Sequence, residues 1–229
     1  MKSLLFVMIA GLASTAMLVS CGGDGSKASA SGPFGEIPSL VSDFETFSDA
    51  KRAELQGGGE DNMKKILGEM KAAEEKFKES MNAAFEKVKG KEVVTEIDPE
   101  LPLKVVTPMK IEDISVSRHL VKLVGELELT ATAIGFDSYE PTDAFELDDL
   151  VVLSYDNNGK PFAYDGLSKD MGGEPMPAGS KVPVDTHIHI ESYNAASMGC
   201  LSKILITLKG SELYDQAKAA ADALKGSKV

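Results

Sequence analysis

The chain has 229 residues, with 24 Lys and Arg set against 36 Asp and Glu, a net charge of −12 at pH 7, and only two cysteines. A surface this acidic repels nucleic acid at long range, and no basic patch offsets it, so nucleic-acid binding and charge-driven recruitment to anionic lipid are both excluded as functions. The length is enough for one hydrophobic core with an appendage, or for two small domains, without a disulfide framework.

The chain starts Met1-Lys2-Ser3 and continues as an apolar run from Leu4 to Val19, softened by Gly11, Ser14 and Thr15. A charged start before a run too short for a comfortable membrane span is the pattern of a removable signal segment. The run ends in Leu18-Val19-Ser20-Cys21, which resembles the lipobox of bacterial lipoproteins. The resemblance implies a type II signal peptide over residues 1–20, diacylglycerol on the Cys21 sulfur, and acylation of the new amino terminus. An ordinary secretory signal with a cysteine at its boundary is the competing account. Lipid attached in this way contributes about 0.8 kcal/mol per buried methylene, so two or three chains hold a protein stably on a bilayer. No other cofactor is expected. Gly22 stands where enteric-type lipoproteins retained at the inner membrane commonly carry aspartate, so the resemblance favours the outer membrane.

Removal of residues 1–20 takes one lysine, leaving 23 basic and 36 acidic residues and a charge of −13. A thioether on Cys21 would use up the one cysteine with which Cys200 could pair inside the chain. Cys200 opens an apolar strand and reads as a buried structural thiol rather than a nucleophile. Residues 22–36 are rich in Gly, Ser and Ala and have the composition of a flexible tether.

From Pro38 to Leu55, the positions of Leu40, Phe44 and Phe47 predict a helix, which Gly57-Gly58-Gly59 ends. A second helix follows, capped by Asp61 or Asn62. Its stripe of Met63, Ile66, Met70, Ala73, Phe77, Met81, Ala84 and Val88 recurs by threes and fours up to Gly90. So narrow a stripe is a seam for a partner helix, so residues 37–90 are expected to form a helical hairpin.

Beyond Lys91 the period falls to two. Short strands are expected near Val93–Ile97, Leu103–Val106 and Ile111–Val116. A long one is expected over His119–Ala133, with Val121, Leu123, Leu127 and Leu129 on one face and Val124 as the exception. Val151, Leu153 and Tyr155 precede the turn Asp156-Asn157-Asn158-Gly159, which leads into Lys160–Tyr164. Val182, Val184, Thr186, Ile188 and Ile190 alternate with Lys181, Asp185, His187, His189 and Glu191, and Ile204, Ile206 and Leu208 follow. Seven or eight such strands over 91–210 predict an antiparallel β-sandwich, and the alanine-rich segment Asp215–Leu224 predicts a terminal helix, giving an α+β chain that is mostly β. The spacing, with the Pro177-Ala178-Gly179 turn, resembles small immunoglobulin-like domains of envelope lipoproteins over roughly residues 93–210.

Several side-chain groups are candidates for function. His187 and His189 share a strand face with Asp185 and Glu191, and imidazoles with carboxylates about 7 Å apart along a strand can converge on zinc or copper. The simpler account is the strand's solvent face. The acids of Asp137–Asp149, with Asp156 beyond, read as a solvated loop rather than a calcium site, since no ordered ligand spacing is present. Two long loops, Gly135–Glu146 and Asp165–Ser180, suggest a contact patch of Tyr139, Phe145, Phe162, Tyr164, Met171 and Met176. His119 is not placed by the sequence.

No nucleophile elbow, phosphate loop, dinucleotide fingerprint, paired-cysteine metal motif or helical zinc-protease signature is present. The expected function is therefore a non-enzymatic, membrane-anchored binding or scaffolding module of the cell envelope. It would contact an envelope protein or a small ligand. A carboxylate-dependent envelope hydrolase and a subunit of a surface or periplasmic assembly are the alternatives.

Overall fold

A computed structural model describes residues 32–56, 60–135 and 143–226. Two helices come first, α1 (Ile37–Gln56) and α2 (Glu60–Val88). Pro38 lies in the first turn of α1, where its missing N–H has no intrahelical partner to lose. On α2 the expected stripe is buried at Ile66, Phe77, Met81, Ala84 and Val88, and Phe85 joins it; Met63, at the far end, is exposed. Phe44 stacks on Phe77 at 4.2 Å between ring centroids, and Lys51 of α1 bridges Glu69 of α2 at 2.9 Å.

The strands are β1 (Thr95–Ile97), β2 (Leu103–Ser115), β3 (Leu120–Leu129), β4 (Ala133–Ile134), β5 (Phe145–Glu146), β6 (Leu150–Asp156), β7 (Pro161–Lys169), β8 (Lys181–His189) and β9 (Leu201–Leu208). A one-turn helix α3 (Ala195–Gly199) precedes β9, and α4 (Glu212–Gly226) closes the described chain. Seven strands form one sheet in the order β1-β9-β6-β7-β8-β3-β2, with β4 and β5 as a separate parallel pair. The sheet nearly closes on itself, because Val93 N–H donates to Met109 O and Ile111 N–H to Lys91 O, tying the approach to β1 onto β2.

This corrects the sequence reading in three respects. The two facing sheets of an immunoglobulin-like sandwich are replaced by one ladder that curls toward a barrel. It is not wholly antiparallel, because β1 runs parallel to β9. Two expected strands are also one, β2, which carries register shifts on both sides of Thr107 next to Pro108. Proline cannot donate to a ladder and is accommodated at such bulges.

Next to Val124, Gly125 occupies a site where an added Cβ would lie 2.6 Å from Met109 Sδ and 3.0 Å from Thr107 O. Met109 of the bulged strand thus takes the volume that a β3 side chain would otherwise fill.

The core runs without a break from the hairpin into the sheet: Phe34, Ile37, Val41, Phe77, Met81 and Val88 share one cluster with Met109, Leu123, Val152, Ile188 and Ile206. A second, smaller cluster lies under α4, where Tyr214 and Ala217 cover Val151, Leu153, Tyr155 and Leu205. Strand β6 is thereby buried on both faces, as its continuous apolar run requires.

A polar joint adds to this apolar contact between hairpin and sheet. His119 sits in the left-handed conformation between a 3-10 turn (Val116–Arg118) and β3, its ring edge-on to Phe44 and Phe77. Its Nδ1 pairs with Glu45 Oε1 at 3.0 Å, and Ser192 N–H donates to Glu45 Oε2 at 2.6 Å.

The chain enters the fold at Gly32, whose N–H donates to Gly199 O at 3.1 Å. Next to it Cys200 caps α3, half-buried and disulfide-bonded, where the sequence suggested a buried thiol. Cys21 lies outside the described residues. Among the described residues no helix is long and apolar enough to cross a membrane.

Candidate functional site

Strand β8 pairs with β3 over nine positions, reaching Leu120 opposite His189. With β7 on its other side it pairs at only three, Leu167–Thr186, Ser168–Asp185 and Lys169–Val184. Toward the end of β8 the two strands separate, and Thr186 Oγ1 donates to Gly166 O at 2.7 Å where the ladder stops. The opening holds a cavity of about 330 Å³. Tyr164, Asp165 and Gly166 line it from β7 and His189 from β8, Glu191, Tyr193 and Asn194 come from the following loop, and Ala221 and Lys225 come from α4.

Asp165 faces Val152 in the β6–β7 register, so it stands on the side of β7 that packs into the core. It is 8% exposed. A buried carboxylate needs a donor, and His189 Nδ1 supplies it at 2.6 Å. Because an ionised carboxylate only accepts, the proton of this bond is assigned to Nδ1, which turns Nε2 away from Asp165. Burial pushes the Asp165 carboxyl above its usual range, and the bond to His189 opposes that. The same bond holds the His189 imidazole above its usual value, partly offset by desolvation. Both shifts favour the bound proton, and the imidazole is 56% exposed beside the cavity.

The rim is built by Asn194, which is buried. Its side-chain oxygen accepts from Glu191 N–H at 2.9 Å and its amide donates to His189 O at 3.1 Å, clasping the loop. On the opposite wall the Lys225 ammonium lies over the Tyr193 ring, 5.4 Å from its centroid. Burial raises the Tyr193 phenol above its ordinary value.

Of the four residues proposed from sequence as metal ligands, His189 and Glu191 line this cavity. Asp185 and His187 do not; they lie farther along the strand, 4.0 Å apart and both partly exposed. Among the described residues no group of three or more His, Cys, Asp or Glu is arranged to hold a metal ion.

Of the suggested contact residues, Phe162 and Tyr164 line the cavity. Phe162 and Met171 are buried, Met176 packs partly into the core, and Tyr164 is edge-on to Tyr214 beneath α4. Phe145 is 39% exposed, and Tyr139 lies outside the described residues.

Sequence reasoning missed Asp165, Tyr193, Asn194 and Lys225. Asp165 was legible in one respect, because it shares a strand face with Ala163 and Leu167, and an acid in a core-facing position calls for a partner. No protein-family model matches the chain, and no curated protein and no solved structure shows significant similarity to it.

Proposed function

We propose that this protein is a lipid-anchored, non-enzymatic binding module of the cell envelope, held at the outer membrane through Cys21, which takes its ligand at the seam where β7 and β8 separate. The observation that carries the site is the Asp165–His189 pair, a buried acid holding a half-exposed imidazole against a cavity of about 330 Å³. That volume lies at the small end of ligand pockets.

The carboxylate-hydrolase reading needs two acids facing a substrate. Asp165 and Glu191 do share the cavity, but Asp165 is buried and committed to orienting the imidazole. Binding is therefore the better use of this geometry.

The tether supports the anchor. Ten residues separate Cys21 from Gly32, and their Gly-, Ser- and Ala-rich composition is that of a tether, which supports a folded part held near the bilayer without being pressed onto it. With two cysteines in the chain, a thioether on Cys21 and an intramolecular disulfide at Cys200 exclude one another.

The anchor is tested by intact mass of the protein purified from its native membrane. A diacylglyceryl adduct on a chain beginning at Cys21 supports the proposal. An intact Met1, or a disulfide with no adduct, overturns it. The binding role is tested by crosslinking and capture of envelope components with the wild type and with His189→Ala. One stoichiometric partner or ligand lost on substitution supports the seam as the site, and capture that is unchanged moves the function elsewhere.

A further inference from the structure

Two charged side chains on the seam cavity have no counter-ion. Glu191 and Lys225 both line it, both are exposed, and among the described residues neither has an ion-pair partner within 4.0 Å. Lys225 lies over the Tyr193 ring and hydrogen-bonds to the Tyr193 side chain, which is a neutral partner. The remaining charges of the cavity, Asp165 and His189, answer one another at 2.6 Å. The wall is thus dipolar, with a carboxylate on the loop side, an ammonium on α4, and a mutually compensated pair with them.

This arrangement selects a ligand by charge distribution. A simple anion would be attracted by Lys225 and repelled by Glu191, and a simple cation would meet the reverse. A neutral molecule would leave both charges uncompensated. A small molecule that carries one positive and one negative group gains at both ends, and charge-assisted hydrogen bonds are the stronger ones available.

Resting on the reading of the seam as a ligand site, we infer that the cavity binds a small zwitterion, an α-amino acid or a dipeptide, with its ammonium on Glu191 and its carboxylate on Lys225. When His189 is protonated, its Nε2, turned away from Asp165, is a second donor to the carboxylate.

The test uses the full mature chain in detergent, with binding followed by ligand-observed saturation-transfer NMR and calorimetry. The probes are L-alanine, L-alanyl-L-alanine, N-acetyl-L-alanine, L-alaninamide and N-acetyl-L-alaninamide. One or both zwitterions should bind, and the stronger of the two identifies the source. Each analogue lacking one charge should bind about tenfold more weakly, the size expected for loss of one charge-assisted contact.

Glu191→Gln should weaken the zwitterion about tenfold while leaving N-acetyl-L-alanine no weaker than before. Lys225→Met should do the same with L-alaninamide as the insensitive probe. Both positions are exposed, so neither variant threatens folding.

Equal binding of the neutral or singly charged analogues to the wild type overturns the ligand class and leaves the seam standing as a site. Failure of all five probes also overturns it. If in that case capture of envelope components still depends on His189, the broader reading survives; if it does not, both fall.

Discussion

The molecule contains two pairs of histidine with carboxylate that look alike on paper and differ in surroundings. His119 and Glu45 join the 3-10 turn before β3 to α1, with both side chains largely covered, two phenylalanine rings against the imidazole, and the second carboxylate oxygen occupied by Ser192 N–H. His189 and Asp165 join two strands that have parted, with the acid buried and more than half of the imidazole open beside a cavity. In the first pair the imidazole is 19% exposed and faces two phenylalanine rings, so the pair serves as a fastener. In the second the imidazole is 56% exposed and opens on a cavity, and what distinguishes a site from a joint is this access rather than the residue types.

The comparison can be broken at either pair. The largest effect is expected for Phe77→Ala, which removes the ring stacked on Phe44 and edge-on to His119; a loss of about 3–5 kcal/mol in urea unfolding is expected. His189→Ala leaves the Asp165 carboxylate buried without its donor and should lower stability by about 1–3 kcal/mol. In the double variant with Asp165→Asn most of that loss should be recovered, because the stranded charge is gone. Equal losses in the single and double variants would show that the carboxylate is hydrated after all. Glu45→Ala, in the joint, should lower stability by about 1 kcal/mol in the same urea series.

The pH dependence separates the two pairs further. His189 has a folded-state pKa raised above the unfolded value of about 6.5, so its stabilisation is present below that value and is lost as pH rises through the raised one. Asp165 is also raised, so the folded state holds its proton more tightly, and its ionisation lowers stability as pH climbs through the upper carboxylate range. The stability gap between wild type and His189→Ala should therefore narrow as pH rises through the raised His189 value. A gap that is flat from pH 5 to 9 would contradict the pairing.

The smallest effect is expected at Ser154, whose hydroxyl is fully buried opposite Ala163 and Ile204 with no hydrogen-bond partner. Ser154→Ala should be neutral or stabilising by up to about 1 kcal/mol, measured in the same urea series.

The local parts of this fold were readable from residue spacing, and the joins between them were not. The stripe from Ile66 to Val88 located α2, and the alternation from Val182 to Ile190 located β8, because each records which side of one element is buried. Which edges pair is not recorded that way. Val93 and Met109, or Thr95 and Ile204, meet through contacts distant in sequence, so the near-closure of the sheet and the parallel β1–β9 ladder had no local signal. The site was lost for a related reason. Asp165-Gly166 has the composition of a loop, yet β7 runs through it to Lys169, and only the partner across the seam makes a buried aspartate tenable. His189 and Glu191 were found because they alternate on a strand; Lys225 comes from a helix some thirty residues later and could not have been grouped with them.

The contact between Gly32 and Gly199 has a mechanical consequence. An added Cβ at Gly32 would lie 2.8 Å from the Gly199 oxygen, so the entering chain is pressed directly against backbone. Tension applied through the preceding residues therefore arrives at the corner between α3 and β9, close to the start of α1. It does not pull on the free tip of the hairpin, which lies about 30 Å further along that helix. A steady pull would load this corner first, one helical turn from Asn194 and the rim of the cavity.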